Sequence, residues 1–591
     1  MPIIFQVRPI TGIIEQSDKI NELENRIIDL NNFYKNLSLN NTLKTQLILS
    51  NTSDWNPAEM IGENIAFLEK SLYEYLITND TWSKSRKLLG YNFDHNSFDL
   101  MVVMGNNPFI NVNKSINSLI PNNINYKLKL EILKSSLNFL RKNRHKHSEI
   151  EFDVIPNCYF PNFEDHWRHI FIKNSFCKED HDNIVRSYKN HTLEIIKNVD
   201  TFKIQFNDNI DKLNTNFQIY QLAKNKTYFL HTLLNITKTD GVLPFAIAAR
   251  LGFISLQWIK SIEKNCKNGN TLVTEFLSNI PNIATNITKS LGASKFDISK
   301  QKTFLENYGF LRPNSYNLLS DDYFILAEQG MLFNRKYKAY SKKINNIPYI
   351  DLSFVEKKEI FKKMETPIKT LLQKFKIQIC EKKLIKFLVL GIFSREYMKF
   401  AFMRHVWAII ETIKKFSIEK KINLADAKFI KIEEYLDFSK NFFGEAELQA
   451  LMAQSRLRQK RFEQNKKIKL PEVIISSNDF YSFYDNAHKG YFISSHKIKG
   501  KIVDYSRVKT QDDLKGKIIK IESADPGFDW IFSKGILAFI TCHGGLGSHM
   551  AIRASEFDMP AVIGCGGKQF KKFEHGSIIE LDCNNKSIGF F

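Results

Sequence analysis

The chain has 591 residues, enough for about three or four domains, and its 43% hydrophobic and 25% charged residues are typical of folded soluble proteins. No apolar run reaches the roughly 18 residues that span a bilayer, and no secretory signal is visible, so we expect a cytoplasmic protein without a membrane partner. The lysines behind the net charge of +21 are spread along the whole chain, which predicts no nucleic-acid partner; a basic nucleic-acid-binding protein is the alternative.

Predicted elements change in kind along the chain. Residues 3–11 are predicted to form a lone strand, which Pro9 confines to a sheet edge or a strand end. A mixed α/β pattern follows, and from about residue 170 to 465 apolar residues recur near every 3.6 positions, as in packed helices. Helices are predicted over 20–37, 65–76, 245–262, 384–416 and 444–467.

Beyond Pro471 short β-rich segments appear, interrupted by one helix at 548–557, which predicts a compact α/β domain. The predicted fold class is therefore multidomain α+β, with a mainly α-helical central region followed by a C-terminal α/β domain. The predicted strands are 473–476, 490–494, 501–504, 517–521, 537–541, 561–563 and 577–581. The predicted divisions are the first strand 1–12, a mixed α/β region 13–165, a helical domain 166–443, a helical connector 444–470 and the α/β domain 471–591.

A glycine-rich turn carries the clearest chemical signal. A predicted strand ends at Thr541, the glycines Gly544 and Gly545 follow, and Ser548 is a good N-cap for the next helix. Exposed N–H groups in such a turn and the positive end of the helix dipole form an anion site. His549 stands at this point, and an imidazole is a competent nucleophile that can accept and pass on a phosphoryl group.

The whole string resembles the phosphohistidine "swivelling" domain of the phosphoenolpyruvate-utilising family, which includes pyruvate phosphate dikinase, phosphoenolpyruvate synthase and rifampicin phosphotransferase. The resemblance implies that His549 is the phosphorylated histidine, whereas His543 does not match the pattern and is expected to have a structural role. Arg553 is expected to clamp the phosphate, because Ser555 stands where the family has arginine. The matching residues are Gly544, Gly545, Ser548, His549, Ala551, Ile552, Ala554, Glu556, Pro560, Ala561 and Val562.

Residues 548–553 and 524–532 most resemble one branch of that family, the L-glutamine kinases. In that branch the phosphoryl acceptor is a side-chain amide nitrogen, so the resemblance implies a small-molecule acceptor, of which L-glutamine, pyruvate and others stay open. Asn111 and Asn113 stand where Asp and Arg are expected, and an ordinary helical ion pair is the alternative for Arg395 and Glu396. The charged residues implied to line the acceptor pocket are Asp54, Glu59, Arg312, Arg395 and Glu396, in stretches 53–62, 311–316 and 394–400.

The first residues resemble the last strand of an ATP-grasp nucleotide domain, in which the Gln and Arg of Gln-x-Arg-Pro lie at the ATP phosphates and metal. Here these residues are Gln6 and Arg8, and the chain begins at that strand. The resemblance therefore implies that a separate ATP-grasp polypeptide supplies ATP and Mg²⁺, with no metal site of the chain's own. The predicted function is a phosphotransferase component; the alternative is an inactive or scaffold fragment of a split gene.

Overall fold

The computed structural model describes most of the chain, and all structural statements below concern the residues it describes. Side chains are described from residue 24 onward, except at positions 440, 483, 484, 526, 549, 552 and 568. The described ranges are 3–5, 17–41, 43, 45–93, 100–171, 176–223, 226–333, 336–338, 342–440, 444–484, 490–545 and 548–591.

Helices dominate the chain up to about residue 465, and strands dominate its last hundred residues. The strands are β1 (Ile3–Phe5), β2 (Leu49–Ser50), β3 (Met101–Met104), β4 (Asn107–Asn111), β5 (Val473–Ile474), β6 (Ser482–Tyr484), β7 (Tyr491–Ile493), β8 (Lys497–Asp504), β9 (Ile518–Ser523), β10 (Ala538–His543), β11 (Ala561–Ile563), β12 (Ile578–Asp582) and β13 (Ser587–Phe590). The helices are α1 (Ser17–Leu39), α2 (Pro57–Ile61), α3 (Phe67–Tyr73), α4 (Thr81–Leu88), α5 (Val112–Asn117), α6 (Tyr126–Lys142), α7 (Phe163–His166), α8 (Arg168–Phe171), α9 (Lys178–Lys197), α10 (Val199–Leu222), α11 (Leu230–Ile236), α12 (Leu243–Asn265), α13 (Gly269–Ser278), α14 (Ile283–Ser294), α15 (Ile298–Tyr308), α16 (Tyr323–Glu328), α17 (Phe354–Lys357), α18 (Glu359–Lys374), α19 (Glu381–Glu419), α20 (Leu424–Ala427), α21 (Ile432–Lys440), α22 (Glu445–Asn465), α23 (His549–Glu556) and α24 (Gly566–Lys572).

The central helices pack around the long helix α19, whose closest partner is α12. Two glycines lie where these helices meet: a Cβ built on Gly252 would lie 3.1 Å from the carbonyl oxygen of Gly391, and one built on Gly391 would lie 2.7 Å from that of Leu251. Without side chains at these points the two helix backbones come close together, and the apolar faces predicted from the 3.6-residue period form the core.

The C-terminal sheet has the order β13-β12-β8-β9-β10-β11-β7. Its four central strands, β8 to β11, pair in parallel, whereas β7, β12 and β13 pair antiparallel at the flanks. The carboxyl ends of the parallel strands therefore lie at the same edge of the sheet, where α/β proteins place their sites. The predicted fold class, a helical region followed by a C-terminal α/β domain, is confirmed.

The structure differs from the predicted divisions around residue 471. Strand β5 pairs with β2 in a sheet of order β3-β4-β2-β5, and β6 pairs with β1, so these segments belong to the first part of the chain. The seven-stranded sheet begins only at Tyr491. Strands of two or three residues gain their stability from long-range partners, which a local pattern does not reveal.

Helix α22, predicted as a connector, is held over its second half. Arg458 binds both carboxylate oxygens of Glu434 at 2.6 and 2.7 Å, and Asn465 donates to the side chain of Asn106 at 3.0 Å. Phe462 packs edge-on against Phe429 at a ring distance of 5.3 Å. These contacts attach α22 to both the helical region and the β3–β4 turn.

One stretch of the described chain, Thr227–Asn265, is long and apolar enough in composition to cross a membrane. In its most apolar window 78% of the residues are buried inside the protein. A helix at the core of a soluble protein has the same properties, and the cytoplasmic location stays a prediction.

Candidate functional site

The glycine-rich turn lies at the carboxyl end of β10, between the ends of β9 and β11. Gly544 has a φ of +130°, and a Cβ there would lie 2.8 Å from that of Ala524, which follows β9. Gly564, after β11, has a φ of +65°, and its built Cβ collides with the carbonyl oxygen of Gly544. Only glycine fits both positions, so the sequence brings three strand ends together by leaving out side chains.

Helix α23 begins directly after this turn. Ser548 is the N-cap; its hydroxyl accepts a hydrogen bond from the N–H of Ala551 at 3.4 Å, and its residue is 2% exposed. Residue 549 is the first residue of the helix, and its side chain lies outside the described part of the structure. The backbone thus places the predicted phosphohistidine where unpaired N–H groups and the helix dipole favour an anion.

Two loops from the first part of the chain lie against the same edge of the sheet. The Nδ1 atom of His543, the last residue of β10, lies 3.4 Å from the carboxylate of Glu63, in the loop between α2 and α3. At the end of β9, Ser523 donates to the side chain of Asn314 at 3.0 Å. The turn therefore faces the region that contains the predicted acceptor residues.

The guanidinium of Arg553, the predicted phosphate clamp, is directed at helix α14. It donates to the hydroxyls of Thr285 and Thr288 at 3.0 and 2.9 Å, and it pairs with Glu556. The residue is only 1% exposed, and Phe557 lies beneath the guanidinium at 4.5 Å. In this arrangement Arg553 contacts another helix, and its clamping role stays a prediction.

Among the predicted acceptor residues, Asp54 lies in a buried ion pair. Its carboxylate accepts from Arg86 at 2.6 Å, from the indole N–H of Trp82 at 3.2 Å and from the hydroxyl of Ser115. Asp54 also lies close enough to a second buried pair, Glu151 with Arg250, to act electrostatically on both of its members.

The carboxylates of Glu59 and Asp54 both affect the pKa of Tyr73. Burial raises the pKa of Tyr73 well above its usual range, and Tyr316 and the two carboxylates raise it further. The rings of Tyr73 and Tyr316 meet edge-on at 5.7 Å, and within the described part of the chain neither hydroxyl has a hydrogen-bond partner. Buried hydroxyls are seldom left unpaired, so this fully buried pair is an unusual polar position in the core.

Arg312 and Arg395, the two predicted acceptor residues with a positive charge, have partners within the protein. Arg312 is 2% exposed and donates to the carbonyl of Ser320, while burial lowers its pKa. Arg395 binds its neighbour Glu396 at 3.0 Å and lies over the ring of Phe253, which also contacts Arg250. The geometry of Arg395 and Glu396 fits the simpler alternative of a helical ion pair and leaves their acceptor role a prediction.

Two asparagines replace the charges expected at 111 and 113, and both have structural bonds. Asn111 caps α5 by accepting from the N–H of Lys114 at 3.3 Å. Asn113 accepts from the N–H of Ile48 at 2.9 Å and donates to the hydroxyl of Thr45 at 2.7 Å. The two side chains therefore bind neighbouring parts of the chain.

Gln6 and Arg8, the predicted nucleotide-site residues, lie outside the described residues. Across the described side chains, no three His, Cys, Asp or Glu residues come together as a metal-binding group. Sequence reasoning missed Arg86, Glu151 and Arg250, because they belong to no local motif and meet only through tertiary packing.

Comparison with known proteins identifies the class of the C-terminal domain. Residues 514–586 match the family described as "PEP-utilising enzyme, mobile domain", which indicates phosphotransfer through a phosphohistidine. The curated protein phosphoenolpyruvate synthase of Escherichia coli (strain K12) is 26% identical over 127 residues. That similarity covers 20% of this chain and 16% of the synthase, so the chain matches about a sixth of that protein's length. The resemblance of the last domain to this family is confirmed, whereas the glutamine-kinase branch and the ATP-grasp partner stay predictions.

Proposed function

We propose that this chain is a phosphotransferase component in which His549 carries a phosphoryl group from a donor to a small-molecule acceptor. The observation that supports this most directly is the backbone position of residue 549, the first residue of a helix that follows a glycine-rich turn at three parallel strand ends. Main-chain N–H groups there favour the dianionic phosphoryl group. The family match of residues 514–586 supports the same role.

The relay has two steps. An imidazole nitrogen of His549 attacks the donor phosphorus, and a P–N bond forms as the bond from phosphorus to the donor oxygen breaks. An acceptor atom then attacks, the P–N bond breaks, and the imidazole recovers its electron pair. Each step needs in-line contact, so the carrier domain has to move between two sites.

The carrier residue is tested by labelling the purified chain with phosphoramidate, a small phosphoryl donor that needs no protein partner. We expect one acid-labile, base-stable phosphoryl group at His549, found by mass spectrometry, and none in His549→Ala. His543→Ala is the matched control and keeps the label, because His543 lies before the turn and contacts Glu63. Label that persists in His549→Ala would assign the carrier role to another residue, whereas no label on the parent chain would favour the scaffold alternative.

We further propose that a separate ATP-grasp polypeptide with Mg²⁺ phosphorylates His549, as the resemblance of Gln6 and Arg8 to the last ATP-grasp strand implies. In this reaction ATP and water give phosphohistidine, AMP and phosphate. The chain alone should not hydrolyse ATP. With a matching ATP-grasp protein, label from the β position of ATP should appear on the chain and label from the γ position in free phosphate. The reverse distribution would contradict this donor chemistry.

The acceptor is proposed to bind near Tyr73, on which Asp54 and Glu59 act and whose ring meets that of Tyr316, with L-glutamine as the first acceptor to test. Arg312, Arg395 and Glu396 are proposed as outer lining residues. Discharge of the phosphorylated chain is followed by ³¹P NMR as the phosphohistidine signal is replaced by that of the product.

Tyr73→Phe removes one unpaired hydroxyl with little change in shape. We expect it to slow discharge about tenfold, the effect of one lost hydrogen bond, and to leave phosphoramidate labelling unchanged. Tyr126→Phe, at an exposed tyrosine, is the control. Equal discharge rates in the two variants would place the acceptor elsewhere.

A further inference from the structure

The 3-10 helix Pro526–Lys534 packs on helix α14, and the carrier helix α23 reaches α14 through side-chain hydrogen bonds. Arg553 donates to Thr285 and Thr288, and the amide of Asn282 donates to Glu556 at 2.8 Å. Asn282, Thr285 and Thr288, which we call the docking face, are spaced three residues apart and so lie on one side of α14 and its N-cap.

We infer that the docking face is a surface of the helical region that holds the carrier helix and thereby fixes the orientation of α23, the helix whose main chain begins at residue 549. Residue 549 precedes Arg553 by four positions, one turn of α23, so the two lie on the same side of that helix. When Arg553 is held by α14, residue 549 is held on the same side. Arg553 is thus a positioning residue for the carrier.

Both sides of this contact fit a surface that opens and closes. The acceptors on α14 are neutral hydroxyls, which water replaces at small cost when the contact opens. When Arg553 leaves α14, its guanidinium remains in contact with two residues of its own domain, the carboxylate of Glu556 and the ring of Phe557. No charge is therefore left alone on the helical side.

Contacts beyond the docking face add to the same interface. Lys534 donates to the carbonyl of Leu332 at 2.7 Å, and Tyr323 donates to that of Gly527 at 3.1 Å. Gln511 donates to the carbonyls of Gly330 and Phe333. All of these are hydrogen bonds to main-chain carbonyls, and they involve no ion pair.

The test is hydrogen exchange, followed by mass spectrometry, of the full chain carrying Thr285→Val and Thr288→Val. Valine keeps the shape of threonine and removes both acceptors of Arg553. We expect exchange in 526–534 and α23 to rise roughly tenfold, because the undocked population rises, and exchange in α19 to stay unchanged. Thr274→Val on α13, an exposed threonine outside the interface, is the matched control and should behave as the parent.

Equal exchange of 526–534 in the double variant and the parent would overturn the inference. If the double variant does not fold, Asn282→Ser replaces it, since serine keeps the N-cap of α14 but is too short to reach Glu556. An increase of a few-fold is then expected, and no increase overturns the inference as well. This readout needs no phosphate on His549, so a failed labelling experiment would leave it intact.

Discussion

The helical region and its interface with the C-terminal domain use charged side chains in opposite ways. Inside the helical region, Arg86 with Asp54 and Arg250 with Glu151 form ion pairs whose side chains are at most 4% exposed. At the interface, Arg553 and Lys534 donate to neutral hydroxyls and main-chain carbonyls of the partner region. A buried ion pair is costly to break because it leaves a lone charge in the core, whereas a neutral acceptor is readily hydrated. The buried ion pairs thus fix the helical region, which we call the platform, whereas the interface can open and form again.

The largest effect is expected from breaking an ion pair of the platform. Arg250→Met should lower the free energy of unfolding by about 3–5 kcal/mol, because Glu151 and Asn157 lose their partner in the core. Urea denaturation measures this. Lys134→Met, which breaks an exposed pair with Glu131, is the control and should cost less than about 1 kcal/mol. Similar losses of unfolding free energy in both variants would contradict the difference that we draw between buried and exposed ion pairs.

A pH effect of about 3 kcal/mol is expected from Glu69, a buried carboxyl at the start of α3. Burial, opposed by the Ala66 N–H and Lys428 and aided by Glu522 of the C-terminal domain, raises its pKa to about 7. The folded state therefore favours the protonated form, so stability should fall as the pH rises from about 4.5 to about 7. Glu69→Gln, which still accepts from Ala66, should flatten this part of the stability–pH curve. An identical curve in the variant would show that Glu69 ionises normally.

A side chain added at Gly527 in the interface is expected to affect docking alone. A Cβ built on Gly527 collides with the main chain of Arg312 and Pro313, although the φ of Gly527 suits any residue. Gly527→Ala should therefore shift the docking equilibrium by about 1–3 kcal/mol and leave the folding of either part intact. Faster hydrogen exchange in 526–534 with unchanged exchange in α19 is the expected result. Faster exchange throughout the C-terminal sheet would instead indicate unfolding.

The smallest effect is expected from Tyr323→Phe, which deletes one hydrogen bond to the carbonyl of Gly527. A loss of about 1 kcal/mol should speed exchange of 526–534 roughly fivefold. Tyr126→Phe, with 75% of the tyrosine exposed, should change nothing. If exchange in 526–534 rose as much as in Gly527→Ala, the Tyr323 hydrogen bond would contribute more to docking than a single hydrogen bond accounts for.

Much of the fold follows from local patterns in the sequence. The predicted helices 245–262 and 384–416 lie within α12 and α19, because their apolar period is long and regular. The predicted helix 548–557 is α23 to within one residue at each end, because Ser548 supplies the N-cap. What could not be predicted depends on distant partners: the pairing of β5 with β2, and α14 as the partner of Arg553.

The same limit applies to the candidate site. The turn and the helix start were read from Gly544, Gly545 and Ser548, whose backbone roles are local. The unpaired hydroxyls of Tyr73 and Tyr316 come from residues 243 positions apart, and no spacing rule joins them. Local chemistry indicated the carrier, whereas the surroundings of the acceptor residues needed the folded chain.

The pairing of β1 with β6 has a mechanical consequence. Ile3 lies opposite Tyr484, so nearly five hundred residues begin and end at one point and form a closed loop. The covalent link from that loop to the C-terminal domain is the main chain that follows Tyr484, and the noncovalent contacts of the docking face are added to it. Because β1 and β6 hold the two ends of the loop together, a rotation of the C-terminal domain about this link does not require the two ends to separate.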